Sequence, residues 1–81
     1  MIRRWETPTR YYMVSLHLDL LGDVVLMSAN GGKYNRLGQL NTLAVPTWGD
    51  GLKAIEAIDQ RRRKRHYVEV KIRRAATNIE R

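Results

Sequence analysis

The sequence contains no cysteine, and this absence excludes two kinds of protein. Without thiols the chain can form neither a disulfide framework nor a thiolate metal site. Phenylalanine is also absent, and no apolar run approaches the roughly 18 residues that a membrane-spanning helix needs. The first residues lack the apolar core of a signal peptide. We therefore expect a cytoplasmic protein with no membrane partner, stabilised by packing alone.

Acidic residues are scarce as well, with 8 Asp or Glu against 15 Lys or Arg and a formal net charge of +7. The excess is concentrated in one segment. Residues 61–74 hold a single acid, Glu69, and eight basic residues: Arg61, Arg62, Arg63, Lys64, Arg65, Lys71, Arg73 and Arg74. A positive field concentrated in this way attracts polyanions, with nucleic acid first, acidic protein surfaces second and anionic lipid third.

The length of 81 residues limits the architecture. A chain of this size buries roughly 60% of its unfolded surface and cannot support two cores. Its hydrophobic content of 43% and charged content of 28% are ordinary for a folded domain. We assign residues 1–74 to one domain and expect the patternless residues 75–81 to be a frayed tail.

Alternation of polar and apolar residues predicts most of the strands. The segment from Arg10 to Leu20 alternates, and we expect its inward face to consist of Tyr12, Val14, Leu16, Leu18 and Leu20. Gly22-Asp23 predicts a tight turn, with the returning strand at Val24–Ser28. Asn30-Gly31-Gly32 predicts a second turn, because these residues accept positive φ angles. A third strand is predicted from Leu37 to Val45.

After Pro46 the apolar spacing becomes helical. The predicted helix begins at an N-cap, Thr47, and ends near Lys64 or Arg65, with an inward stripe that includes Trp48, Leu52, Ile55 and Ile58. Tyr67–Arg73 alternates again, which predicts a final strand with Val68, Val70 and Ile72 inward and Tyr67, Glu69, Lys71 and Arg73 outward. Ile2–Trp5 fits a short edge strand. The predicted fold class is α+β: a single curved antiparallel sheet of four to five strands with one helix packed on one face.

The candidates for catalysis are weak. Asp19 and Asp23 flank the predicted hairpin turn, and Asp50, Glu56 and Asp59 lie on the predicted helix, where solvated or ion-paired carboxylates are the ordinary case. Neither His17 nor His66 has a metal-ligand spacing. Gly31, Gly32 and Gly38 are not followed by a phosphate-loop lysine. We expect no enzyme activity, no metal and no cofactor.

The basic segment is the better candidate for a site. If the helix end and the last strand lie side by side, they form one cationic surface that could bind several phosphates and stack a sugar or base on a ring. The residues expected to take part are Arg61, Arg63, Lys64, Arg65, Tyr67, Lys71 and Arg73. The alternative is a charged helix end that serves dipole compensation and solubility only.

Several motifs carry a resemblance to a known family: Arg3-Arg4-Trp5-Glu6, Thr9-Arg10-Tyr11-Tyr12, Asp19-Leu20-Leu21-Gly22-Asp23, Asn30-Gly31-Gly32 and Gly38-Gln39, with an Arg-rich helix end followed by Tyr67. In this order and spacing, over about Ile2 to Val70, the chain resembles the WGR domain of poly(ADP-ribose) polymerases and short bacterial proteins. The family usually has glycine where this chain has His66, so we expect the helix to end differently here.

The resemblance implies a fold and a mode of binding. The fold it implies is the same sheet with one helix, and in the polymerases the Trp-Gly-Arg tripeptide contacts the nucleotide at a DNA break. Asn30, Gly31 and Gly32 stand at the tripeptide positions, where asparagine cannot stack as an indole does and glycine brings no charge. The nearby residues Lys33, Tyr34 and Arg36 could supply a cation and a ring in the same turn.

These observations leave three functions open. The first is a DNA-binding accessory protein that contacts phosphates. The second is a protein-interaction module that docks on an acidic partner or on a second copy of itself, having lost the DNA-contacting tip. The third is an RNA-associated protein, which shares the electrostatics but lacks an RNA-recognition motif.

Overall fold

The computed structural model describes residues 1–35 and 38–72, which form five strands and one helix. The elements are β1 (Ile2–Glu6), β2 (Arg10–Leu18), β3 (Val24–Gly32), β4 (Gly38–Val45), α1 (Trp48–Lys64) and β5 (Val68–Val70). The strands form one sheet in the order β4-β3-β2-β1-β5, and each neighbouring pair is antiparallel. The helix packs against one face. The predicted α+β class is confirmed.

The β2–β3 hairpin follows from local chemistry. A carboxylate oxygen of Asp19 accepts hydrogen bonds from the backbone N–H groups of Leu21 and Asp23, both at 2.9 Å. Gly22 has a φ of 85°, which glycine adopts without steric cost. The turn sets the register so that Leu16 lies opposite Leu26, with both side chains on the helix face. The predicted turn is confirmed.

The core lies between the helix and the first three strands. It consists of Trp5, Val14, Leu16, Leu26, Ile55 and Ile58. Tyr12 packs against this core as predicted. The expected inward positions of Leu18 and Leu20 are wrong, because β2 ends at Leu18 and Leu20 lies fully exposed in the turn. The expected inward positions of Trp48 and Leu52 are also wrong, because both side chains are exposed. Gly51, which lies between them, is the residue of this helical turn that lies against Leu16 of the sheet.

Both ends of α1 are capped by the chain itself. The Thr47 hydroxyl accepts a hydrogen bond from the Asp50 N–H at 3.1 Å, which confirms the predicted N-cap. At the other end, the Tyr67 N–H donates to the Arg62 carbonyl at 2.9 Å and the His66 N–H donates to the Arg63 carbonyl at 3.1 Å. This is a Schellman motif.

His66 occupies the position in that motif where glycine is favoured. Its φ of 67° is in the left-handed region, which costs an L-residue about 1 kcal/mol. The comparison with the family, in which glycine usually stands here, stays a prediction. The histidine adopts the backbone conformation that a glycine would adopt.

The last strand is shorter than predicted and faces the other way. In β5, Glu69 lies opposite Trp5, so its side chain shares the helix face with that buried ring. Val68 is 67% exposed on the opposite face. An edge strand of three residues takes its register from β1, and Arg3 holds Glu69 inward with two hydrogen bonds of 2.7 and 2.8 Å. The predicted inward set of Val68, Val70 and Ile72 is therefore wrong, and so is the outward placement of Glu69.

The second predicted turn is also wrong. Asn30, Gly31 and Gly32 continue β3, with Asn30 opposite Gln39 and Gly31 opposite Gly38. Gly38 is needed here for space rather than for a positive φ. A Cβ at this position would lie 3.0 Å from the Asn30 carbonyl oxygen and 3.2 Å from the Tyr11 hydroxyl. The glycines allow the backbones and the Tyr11 ring to approach closely at this end of the sheet.

Two helix glycines provide a paired test of the packing. A Cβ on Gly51 would lie 2.5 Å from Cδ1 of the fully buried Leu16, whereas a Cβ on Gly49 meets nothing closer than 3.8 Å. We expect Gly51→Ala to lower the free energy of unfolding by about 1 kcal/mol, because overpacking outweighs the gain in helix propensity. Gly49→Ala should raise it by about 0.5 kcal/mol. Urea unfolding of both variants checks the pair, and a stabilised Gly51→Ala would contradict the packing described here.

Candidate nucleic-acid interface

The carboxyl end of α1 and the glycine-rich end of the β3–β4 hairpin lie at the same end of the sheet. The helix follows β4 and runs back along the sheet, so that the Arg62 guanidinium lies 4.6 Å from the Tyr12 ring centroid. Tyr12 lies directly opposite Asn30 in the β2–β3 pair. The basic helix end and the Asn30-Gly31-Gly32 segment are therefore neighbours, although Gly32 and Arg61 are 29 positions apart in the sequence.

Arg62 fixes the helix end to the sheet. Its guanidinium lies between two rings, 4.6 Å from Tyr12 and 5.1 Å from Tyr67. Both contacts are within the range of cation–π attraction. Tyr67 is half-buried and packs against the core. The prediction that Tyr67 presents an outward ring on which a sugar or base stacks is therefore wrong, because the Arg62 guanidinium already lies against this ring.

Arg63 is neutralised by carboxylates of its own chain. Its Nε lies 3.0 Å from each oxygen of Asp59, and a terminal nitrogen lies 3.9 Å from Glu69. Asp59 and Glu69 also bind Arg3, at 3.5 and 2.7 Å. Arg63 thus belongs to a network on the flank of the helix that faces β1 and β5. Arg63 was predicted to contact phosphate, but in the structure its charge is paired with these carboxylates, while 62% of its side chain stays exposed.

Asp59 is the centre of that network. It is 7% exposed and accepts a hydrogen bond of 2.9 Å from the indole N–H of the fully buried Trp5. Burial acts to raise the pKa of Asp59, but the hydrogen bonds from Trp5 and Arg63 and the charges of Arg63 and Arg3 together lower it below its usual value. The hydrogen bond from Arg3 likewise lowers the pKa of Glu69. Asp59 therefore stays ionised in the folded protein.

Arg61, Lys64 and Arg65 differ from Arg63. All three are exposed, and none takes part in an ion pair within residues 1–35 and 38–72. At about 100° per residue, Arg61 and Arg65 lie about 200° around the helix axis from Arg63. They are therefore on the flank directed toward β3 and β4. We call Arg61, Lys64 and Arg65 the helix-end cations.

A polar cavity of about 520 Å³ lies on the glycine-rich end of β3 and β4. It is lined by Arg10, Asn30, Gly31, Gly32, Asn35, Gly38 and Gln39. Asn30, Gly31 and Gly32 thus line a cavity, to which Asn30 and Gln39 bring amide groups that can donate and accept hydrogen bonds. The guanidinium of Arg10 brings a cation to it, since Arg10 lies opposite Gly32 in the sheet register. We call this the amide cavity.

Arg10 and Gln39 were not predicted as site residues. Both were recognised as parts of motifs, but their place in the cavity depends on the register of β2, β3 and β4. A turn at Asn30-Gly31-Gly32 does not allow this register. A β3 strand that continues to Gly32 pairs Arg10 with Gly32 and Asn30 with Gln39.

Four other predicted residues have different outcomes. The Lys33 ammonium binds the Glu6 carboxylate at 2.7 Å, so it is compensated rather than available to a ligand. This hydrogen bond, with one from Arg4, lowers the pKa of Glu6. Lys71 is exposed just after β5 and forms no ion pair among the described residues. Arg36 and Arg73 lie outside the described residues.

Two of the carboxylates considered for catalysis have structural roles. Asp19 closes the hairpin turn, and the Asp50 carboxylate accepts a hydrogen bond of 3.0 Å from Thr47 at the helix cap. Within residues 1–35 and 38–72, no three His, Asp or Glu side chains are grouped so as to hold a metal ion. In the same part of the chain, no helix is both long enough and apolar enough to cross a membrane.

Comparisons of this chain with protein-family models, with curated proteins and with solved structures found no match. The geometry of the helix-end cations and of the amide cavity is therefore the basis for the function considered next.

The ion-pair network makes stability depend on pH. The folded-state pKa values of Glu6, Asp59 and Glu69 are all lowered, so in acid the unfolded chain binds more protons than the folded protein. The stabilisation is complete above the unfolded values, about pH 4.5, and is lost as pH falls through the lower folded values. We expect the urea midpoint to fall between pH 6 and pH 3. Asp59→Asn should show a weaker dependence, and an unchanged wild-type midpoint would contradict the network.

Proposed function

We propose that this chain is a non-catalytic nucleic-acid-binding module of the WGR type that contacts the phosphates of DNA through the helix-end cations. One observation carries the proposal. Arg61, Lys64 and Arg65 are exposed without ion pairs among the described residues, while the carboxylates nearby already bind other cations. Uncompensated cations on one surface gain most from a polyanion, because binding releases the counterions condensed on it.

The amide cavity also supports the proposal, because it lies beside the basic helix end at the same end of the sheet. Arg10 adds a cation at the edge of the cavity, and the side-chain amides of Asn30 and Gln39 can donate to phosphate or sugar oxygens. This placement suits backbone contacts, which position a nucleic acid without reading its sequence. The protein is therefore expected to bind with little base preference.

The revised site is smaller than the sequence suggested. Arg63 and Lys33 are bound by carboxylates, and Tyr67 is bound by Arg62. The proposed ligands are Arg10, Arg61, Lys64 and Arg65, whereas Lys71 follows β5 at the opposite edge of the sheet. A site with three or four phosphate contacts should show a log–log salt slope between about −2.7 and −3.6 on duplex DNA.

A fluorescence titration with duplex, nicked and single-stranded oligonucleotides at 50 and 200 mM salt tests the proposal. We expect dissociation constants of roughly 1 to 100 μM, weakening at the higher salt. An RNA duplex of the same length serves as the comparison, and clear preference for it would move the function to RNA. Absence of binding tighter than about 0.1 mM at the lower salt would refute the proposal.

A further inference from the structure

The face of the sheet opposite the helix has an apolar centre, bordered by polar residues such as Ser15, His17 and Thr42, that is not covered by any described part of the chain. Alternation along the strands places Ile2, Met13, Met27, Ala29, Leu40 and Val68 on it. Ile2 is 45% exposed, and Leu40 and Val68 are each 67% exposed. A shallow cavity of about 170 Å³ lies near the centre, lined mainly by Ile2, Met13, Met27 and Leu40. We call this surface the open face.

The open face carries almost no net charge. The charged strand residues that alternate onto it are Arg4 and Glu6, which bind each other at 2.7 Å. Lys33, in the loop at its border, also binds Glu6. The helix-end cations lie on the other side of the sheet. An acidic partner would therefore find little to attract it here, although the chain as a whole is strongly basic.

The open face is large enough for a weak but specific interface. From ordinary strand spacings, five strands of these lengths present roughly 550 Å² of projected area. Two such faces in contact would bury about 1,100 Å², just above the size at which specific interfaces begin.

We propose that the open face binds the open face of a second copy of this chain, so that two sheets pack against each other across a two-fold axis. A neutral, apolar surface is complementary to itself. The methionines Met13 and Met27 can adjust their shape to the facing sheet. In this arrangement the helices lie outside, about 30 Å apart from the layer spacings, which is well beyond the Debye length of about 8 Å. Repulsion between the two sets of helix-end cations is then largely screened.

A pair of substitutions on one strand tests the proposal. Leu40→Glu introduces a charge on the open face, where Leu40 lines the shallow cavity from the edge strand β4. Leu43→Glu introduces the same charge on the same strand, but on the helix face, at a similar exposure of 59%. Sedimentation equilibrium between about 10 and 300 μM should give twice the chain mass of 9.5 kDa for wild type and Leu43→Glu at the upper end, as expected for a micromolar interface. Leu40→Glu should remain at the chain mass, with an unchanged circular dichroism spectrum.

Three results would overturn the proposal. One is a wild type that stays monomeric at the highest concentration. A second is equal dissociation of both variants, which would mean that charge rather than position is responsible. The third concerns the accessibility of the Met13 and Met27 methyl groups to a soluble paramagnetic probe, measured by NMR. If the methyl groups are protected in a monomeric protein, another segment of the same chain covers the open face. If they are accessible at all concentrations, no second copy covers it.

Discussion

Replacing Arg61, Lys64 and Arg65 with alanine is expected to weaken binding to duplex DNA by about 100-fold at 0.1 M salt, because three phosphate contacts and their counterion release are lost. The log–log salt slope should become less steep by about 2.7. The fold should be retained, since all three side chains are exposed and unpaired among the described residues. Fluorescence titration across four salt concentrations gives both quantities.

Two single substitutions provide the matched control for this result. Arg65→Gln and Arg63→Gln each remove one positive charge from the last turn of the helix. Arg65 is exposed and unpaired in the described part of the chain, whereas Arg63 binds Asp59 at 3.0 Å. We expect Arg65→Gln to reduce the slope by about 0.9 and Arg63→Gln to leave it nearly unchanged. Equal effects would show that net charge alone determines binding, which would contradict a defined site.

Asp59→Ala is expected to lower the free energy of unfolding by about 3 kcal/mol. The substitution leaves the buried indole N–H of Trp5 without an acceptor and removes the carboxylate that Arg63 and Arg3 share. The exposed part of Arg63 can be resolvated, so the loss should fall at the lower end of the range for broken buried pairs. Urea unfolding at pH 7 measures the change.

Glu56→Ala is the control for Asp59→Ala. Glu56 also approaches Arg3, at 3.6 Å, but its side chain is 66% exposed. A surface pair of this kind contributes at most about 0.5 kcal/mol. Asp59→Asn should lie between the two, because it keeps an oxygen acceptor for Trp5 while losing the charge. If Asp59→Ala were no more destabilising than Glu56→Ala, the buried network would not stabilise the fold.

The parts of the fold that could be predicted from sequence are those governed by local chemistry. Alternation in β2, the turn at Gly22-Asp23 and the Thr47 cap depend on residues within a few positions of each other. The position of the helix end followed from the change of period before Tyr67. These predictions required no knowledge of distant contacts.

The parts that were mispredicted depend on contacts between distant residues. Glu69 faces inward because Arg3, which is 66 positions away, binds it, and an alternation rule has no means of showing this. The local preference of Asn30-Gly31-Gly32 is for a turn, because asparagine and glycine are depleted in strands. Its strand conformation follows from pairing with Gly38 and Gln39 and from the close approach of Tyr11. The amide cavity was missed for the same reason.

The basic site itself was predicted in part. Charge counting identified the segment but could not separate Arg63 from Arg61 and Arg65, because that distinction depends on which flank of the helix faces Asp59 and Glu69. Helical angles were sufficient in principle, since Asp59 and Arg63 are four residues apart.

The most direct measurement of the central claim is a map of backbone amide shifts in the ¹⁵N spectrum as a short DNA duplex is added at low salt. We expect the largest changes at Arg61, Lys64 and Arg65 and around the amide cavity, at residues 30–32 and 38–39. Amides around Asp59 and in β5 should change little. Shifts concentrated on the open face, or spread evenly over the basic residues including Arg63, would contradict it.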